Sequence, residues 1–205
     1  MAKADLSIDP RILASAKAEF LDKGFEKSSL KVICENAQVT TGALYKRYRG
    51  KEDLFHAVVA ETVNKLNEVA KEKTSVDLSQ LPDEALVKAW DMNEDYMLWW
   101  FQLLYEHREG FTLLLRCADG TVYANFQHDW VELMAQGTWR YYQEARRRGL
   151  TATNISQQEL HVLLSAFWTT IYEPFIHDYS WEMIASHCHL VCGLFNWYRV
   201  LGFQA

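Results

Sequence analysis

Proline is almost missing from this sequence, with three in 205 residues. Alternating runs of valine, isoleucine and threonine are missing altogether. The first absence leaves long helices unbroken and the second excludes a sheet protein. There is no long hydrophobic run either. The most apolar window, Tyr96 to Tyr105, falls well short of the roughly 20 residues a membrane span needs. The opening MAKADLSIDP lacks an apolar core followed by a small-residue cleavage site, so no signal peptide is predicted. The chain is expected to be cytoplasmic, with no membrane association, and its four cysteines (Cys34, Cys117, Cys188 and Cys192) to be reduced thiols. Positive charge is scarce. A net charge of −6 and an isoelectric point near 5.6 exclude a protein that coats nucleic acid without specificity. No repeat, low-complexity tract, nucleotide-binding loop, serine–histidine–aspartate order or carboxylate–histidine metal pairing is present. Enzymatic chemistry is therefore not expected, and neither catalytic residue nor cofactor is assigned.

Apolar residues are plentiful at 49%, against 23% charged, which describes a globular chain with a sizeable core. Eight tryptophans must be buried, line a cavity or sit at an interface. The charge is unevenly spread. Residues 1–73 hold thirteen lysines and arginines against eleven acids, and residues 74–205 hold eight against sixteen. A small anion-binding module on a larger acidic body fits that asymmetry.

The apolar spacing is helical nearly throughout, predicting an all-α protein of about nine helices. Asp9-Pro10 marks a helix start, with Ile12, Leu13, Ala16, Phe20 and Leu21 on one face and Gly24 as its end. A short helix is expected from about Ser28 to Ala37, and another from about Thr41 to Arg49 with Thr40 as its cap. A long amphipathic helix begins at about Lys51. The stretch 73–82 reads as a loop, and Pro82-Asp83-Glu84 opens a further long helix reaching about residue 107. Breaks near 109–110, 119–120, 149–156 and 178–181 separate the rest. The predicted division is a DNA-binding domain over 1–52 and a helical ligand-binding and dimerisation domain over 53–205.

The stretch from Ser28 to Tyr48, SSLKVICENAQVTTGALYKRY, has the spacing of a helix-turn-helix. In that motif the second helix lies in the major groove and the start of the first faces the backbone. Ser28 or Ser29 is placed to meet a phosphate. Thr41, Gly42 and Ala43 keep the start of the second helix narrow. Thr41 and Ala43 can touch a thymine methyl, and Lys46 or Arg47 can reach a guanine or a phosphate. Leu44 is the inward anchor, set against Ile33 and Ile12. Any one of these cations alone would read as a solvated helix face; the ordered set does not.

From Gly24-Phe25 through that stretch to RGKEDLF, the sequence resembles the tetracycline-repressor (TetR) family of bacterial transcriptional regulators. The resemblance covers nearly the full DNA-binding domain of the family. It implies that Tyr45 and Lys51 contact phosphates, that Thr40 caps the recognition helix, and that Tyr48, where the family usually has phenylalanine, packs that helix on the first. Two positions depart from the pattern. Gln38 stands where the family usually has a turn glycine, a position that often has positive φ and costs another residue about 1 kcal/mol. Cys34 replaces the usual alanine and reads as a small buried hydrophobe.

The resemblance further implies a dimer in which a ligand bound in the body changes the separation of two DNA-binding domains. Aromatic residues supply material for a cavity holding a flat or apolar molecule, with Trp100, Trp130, Trp168 and Tyr172 as its expected lining. Phe111, Tyr123 and Phe126 belong to the same aromatic set. Glu173-Pro174 is expected to kink a helix. Apolar stripes at Leu160, Leu163, Leu164, Phe167 and Ile171, and at Ile184, Cys188, Val191, Phe195 and Tyr198, suggest a four-helix dimer seam. His187-Cys188-His189 with Cys192 is not assigned as a metal site, because the histidines leave the face that the cysteines share. Arg146-Arg147-Arg148-Gly149 is explained by the helix dipole. The resulting expectation is a homodimeric regulator of a palindromic operator in double-stranded DNA, acting as a repressor released by an apolar or aromatic small molecule. The alternative is a helical small-molecule-binding protein without DNA-binding activity.

Overall fold

The structure is a computed structural model that describes residues 8–203. Those residues form eleven α-helices and no extended strand. In chain order they are α1 (Ile8–Lys27), α2 (Leu30–Asn36), α3 (Thr41–Tyr45), α4 (Lys51–Thr74), α5 (Asp83–Lys88), α6 (Glu94–Glu106), α7 (Arg108–Arg116), α8 (Phe126–Arg147), α9 (Gln157–Ile176), α10 (Trp181–Leu194) and α11 (Trp197–Leu201). No helix among the described residues is long and apolar enough to cross a membrane.

The chain divides into two compact units. One comprises the residues up to Leu66 together with His107–Phe126, and the other comprises Asn67–Glu106 together with the residues from Gln127 onward. In the first unit, α1 buries Ile12, Ala16 and Phe20. Gly24 breaks the helical path with φ 72, as its place in the sequence predicts. Past that break Phe25 meets Phe20 and Phe55, and Phe55 also meets Tyr123. The Phe25 amide donates to the Cys117 carbonyl at the end of α7. Lys17 and Glu109 form an ion pair across the same unit.

The expected break near 109–110 does not occur there. Gly110 lies inside α7, and the break comes at His107. Gly110 is needed for a close approach, because a Cβ added to it would overlap the Thr62 hydroxyl of α4. The long helix expected from residue 83 is also two, with the chain opening between Lys88 and Glu94. Asn93 caps the second of these by accepting from the Tyr96 amide.

In the second unit, α6 lies against α10. Arg148, just beyond α8, holds the 78–83 loop in place. Its guanidinium donates to the Leu78 and Leu81 carbonyls and pairs with Asp83. Arg147 and Arg148 together hold the Glu144 carboxyl down at about 2. The carboxylate is the form they stabilise, so this contribution is complete above the ordinary carboxylate range and fades as the pH falls toward 2.

Pro174 sits inside α9 without ending it. Proline has no amide hydrogen, so the Thr170 carbonyl one turn earlier loses its usual helical donor. His187 of α10 replaces that donor, with Nε2 2.7 Å from the Thr170 oxygen. A carbonyl only accepts, so Nε2 carries the proton. Glu173 is exposed beside His177, as expected of an acid at a helix bend.

Two outcomes follow from this packing. Gly110→Ala should lower unfolding stability by about 1–3 kcal/mol, and Thr62→Ala should recover part of the loss; denaturant melts of the two single variants and the double variant measure both. His187→Ala should cost about 1–2 kcal/mol by orphaning the Thr170 carbonyl, and distinctly less in a Pro174→Ala background where the amide donor returns. Additive losses in that cycle would remove the substitution of donors as the reason for the contact.

Candidate nucleic-acid interface

The candidate interface is built on α2, the turn after it and α3. Ser15 of α1 donates to the Ile33 carbonyl at 2.9 Å, fastening α2 to the first helix. Ile12, Ile33 and Leu44 are all fully buried, so α3 is anchored by the leucine that the sequence placed inward. The turn closes through Val39 N–H to the Cys34 carbonyl at 3.0 Å, and Gln38 within it has φ 54. A left-handed glutamine is strained by about 1 kcal/mol, which the surrounding hydrogen bonds hold in place. Cys34 is buried, and burial pushes its thiol up, as suits a small hydrophobe.

Thr40 is the N-cap of α3. Its Oγ1 accepts from the Ala43 amide at 3.1 Å. The helix proper is shorter than its sequence suggests, ending at Tyr45 rather than Arg49, and a hydrogen-bonded turn carries on through Tyr48 N–H to the Leu44 carbonyl. Thr41, Gly42, Tyr45 and Lys46 are exposed, and Ala43 is half-buried beside them. Tyr45 shows 58% of its surface to solvent, the exposure of an aromatic ring that no described residue covers. Lys46 carries no ion pair among the described residues. Tyr48 is half-buried, and burial raises its hydroxyl.

The remaining predicted residues are less free. Arg47 turns back to Asp9, with 2.7 Å between Nε and Oδ1, and also donates to the Ala43 carbonyl. Asp9, in the first turn of α1, thus also braces the segment that follows α3. Lys51 donates to the carbonyls of Glu26 at 2.9 Å and Ser28 at 3.2 Å and lies over the Phe25 ring. That uses two of its three donors. Ser28 is buried, and its hydroxyl donates to the Phe25 carbonyl at 2.6 Å, so its donor faces the fold and not solvent. Ser29 stands at the cap of α2 without a side-chain cap bond, although its amide is held by Glu19.

The expected ligand site falls entirely within the second unit. A cavity of about 290 Å³ is lined by Trp100 and Trp168, as predicted, together with Trp90, Tyr96, Phe167 and Trp197. Trp130 and Tyr172 are not among its lining residues. They pack on Trp168, the first edge-on at 5.7 Å and the second stacked at 5.9 Å. Burial pushes the Tyr172 hydroxyl far above its ordinary value. Phe111, Tyr123 and Phe126 belong to the first unit and take no part. Trp197 was invisible as a wall residue because only the three-dimensional return of the chain after α10 brings it there.

The two apolar stripes expected to form a dimer seam mostly face the chain's own core. Leu160, Leu164, Phe167, Ile171, Ile184, Cys188 and Val191 are all buried. The apolar residues that α9 and α10 leave exposed are Val162, Met183, Leu190 and Leu194. Of the histidine–cysteine group, His187 serves Thr170 and His189 lies beside Glu94.

The family described as bacterial regulatory proteins, tetR family, matches over residues 12–58, which holds α1 from Ile12 onward, α2, α3 and the start of α4. The HTH-type transcriptional regulator UidR of Escherichia coli K12 is 35% identical over 51 residues, which cover 25% of this chain and 26% of that protein. The alignment therefore spans about a quarter of the curated relative's length. Among solved structures, Salmonella enterica GusR superposes with a TM-score of 0.57 at 18% identity, covering 98% of both chains. NalD of Pseudomonas aeruginosa, the secondary repressor of the MexAB-OprM multidrug efflux pump, gives 0.56 at 20% identity over 91% of this chain and 94% of its own. At such identities the superpositions speak for the fold alone. Residues 12–58 are thus similar to the tetR family of bacterial regulatory proteins, and the chain as a whole shares the fold of solved regulators.

Proposed function

We propose that the protein is a sequence-specific, homodimeric DNA-binding transcriptional regulator, a repressor relieved when a small molecule enters the aromatic cavity. The observation that carries this reading is the exposed surface of α3. A capped, leucine-anchored helix and its C-cap present Thr41, Gly42, Tyr45 and Lys46 outward together, with no described residue covering them. Thr41 and Ala43 serve base edges. Tyr45, Lys46 and the remaining donor of Lys51 serve phosphates, and the Ser29 hydroxyl serves a phosphate at the start of α2. Ser28 and Arg47 shape the surface from beneath. The division of labour runs near residue 52, with DNA contacts before it and the ligand and partner subunit after it.

A dimer is needed because one short helix reads only a few base pairs, whereas a two-fold pair reads a palindrome. Val162, Met183, Leu190 and Leu194 support α9 and α10 as the self-complementary face. Ligand and DNA are coupled by a free energy of about 1–3 kcal/mol, the usual range for such a switch.

Tyr45→Ala and Lys46→Ala should each weaken operator binding by about 1–2 kcal/mol without changing the melting temperature, and Lys46→Ala should reduce the salt slope by about one unit. Unchanged affinity in both would remove the phosphate assignment. Leu190→Glu with Leu194→Glu should yield folded monomers, seen by sedimentation, that no longer bind a palindrome; a persistent dimer would move the interface elsewhere.

A further inference from the structure

Trp90 and Trp197 line the cavity, and each is only 3% exposed. Their rings are neighbours, with centroids 6.4 Å apart. Neither indole Nε1–H finds an acceptor among the described residues. An indole nitrogen donates and never accepts. Both nitrogens are covered in this conformation, and a buried donor left unpaired costs roughly 1–3 kcal/mol, so a small turn of either ring toward the cavity that met an outside oxygen would be favoured. Much of the remaining wall is apolar, through Trp100, Leu164, Phe167, Trp168 and Ile171.

The polar residues of the wall point the same way. Lys73 and Lys88 line the cavity, against a single acid, Asp91. That carboxylate already accepts from the Asn93 side chain at 3.0 Å. The Lys73 ammonium rests 4.7 Å above the Tyr96 ring, held at the wall by a cation–π contact. The lining therefore offers donors and positive charge in excess. A ligand whose only polar group is a cation or a donor would leave both indoles unpaired.

We propose that the cavity takes a flat, mainly apolar molecule bearing a carbonyl or carboxylate oxygen, and that Trp90 and Trp197 donate hydrogen bonds to that oxygen. Recognition by donors rejects an analogue lacking the oxygen more strongly than apolar contact alone discriminates by size. The inference deepens the effector site of the preceding reading and rests on it for its regulatory meaning; the binding itself does not depend on DNA.

The test uses naphthoate, acetylnaphthalene and ethylnaphthalene, substituted at the same ring position, titrated into the full chain by calorimetry without DNA. Both oxygen-bearing probes should bind at least about tenfold more tightly than ethylnaphthalene. Naphthoate should lead, and its lead should shrink with added salt if the two lysines contribute. Trp90→Phe and Trp197→Phe should each cut the advantage of the oxygen probes by about tenfold while ethylnaphthalene binding holds, which also shows that the cavity is intact. Equal binding of all three probes, binding of none, or a preference that survives both substitutions would overturn the proposal. Release of an operator duplex is read separately. Probes that follow the predicted pattern without loosening DNA would contradict the effector role and leave the assignment of the two indoles standing.

Discussion

A helix of five residues does not hold together in water by itself, because nucleating its first turn costs more than so few hydrogen bonds return. The short helix α3 exists because Leu44 is fully buried and because Thr40 supplies the acceptor for its first turn. Everything read as DNA recognition depends on that anchorage. Ser15 fastens α2 to α1, the strained Gln38 turn sets the angle of α3, and Lys51 pins the start of α4 to the carbonyls at the end of α1. With the underside fixed by burial, Thr41, Gly42, Tyr45 and Lys46 remain exposed.

The cavity follows the opposite logic. Tryptophans at 90, 100, 168 and 197 come from four different helices or their ends, and edge-to-face contacts hold the rings in place. A wall of such rings is stiff, and its polar atoms are few and fixed. Among the described residues, the two indole donors of the wall are buried side-chain groups left without an acceptor. Elsewhere in this unit the same need is met internally, as when His187 supplies the donor that Pro174 takes from Thr170. The carbonyl freed by Pro174 is satisfied, whereas the two indoles at the cavity are not.

Local features were legible in the sequence. The cap at Thr40, the anchor at Leu44 and the break at Gly24 each depend on neighbours a few residues away and stand where the residue types imply, whereas the positive φ at Gln38 was implied by the resemblance and not by the glutamine itself. Features set by distant packing were not. Gly110 looks like a helix end until Thr62 is seen against it. Lysine and arginine side chains read equally well as phosphate ligands or as ties to the fold, and Arg47 is drawn to Asp9 by a pairing some forty residues apart. The stripes on α9 and α10 showed that those helices are apolar on more than one side, but periodicity does not say which side meets its own subunit. Trp130 and Trp168 are equivalent in sequence terms, and only the packing puts one at the cavity wall and the other behind it.

The central claim is that the exposed face of α3 reads DNA sequence as one half of a two-fold pair. Selection of duplexes from a random pool by the purified protein, followed by sequencing of the bound fraction, tests it most directly. The account predicts an enriched palindrome whose half-sites are separated by about one helical turn or a multiple of it. A folded, dimeric protein that enriches no sequence at low salt, where phosphate contacts are strongest, would contradict it.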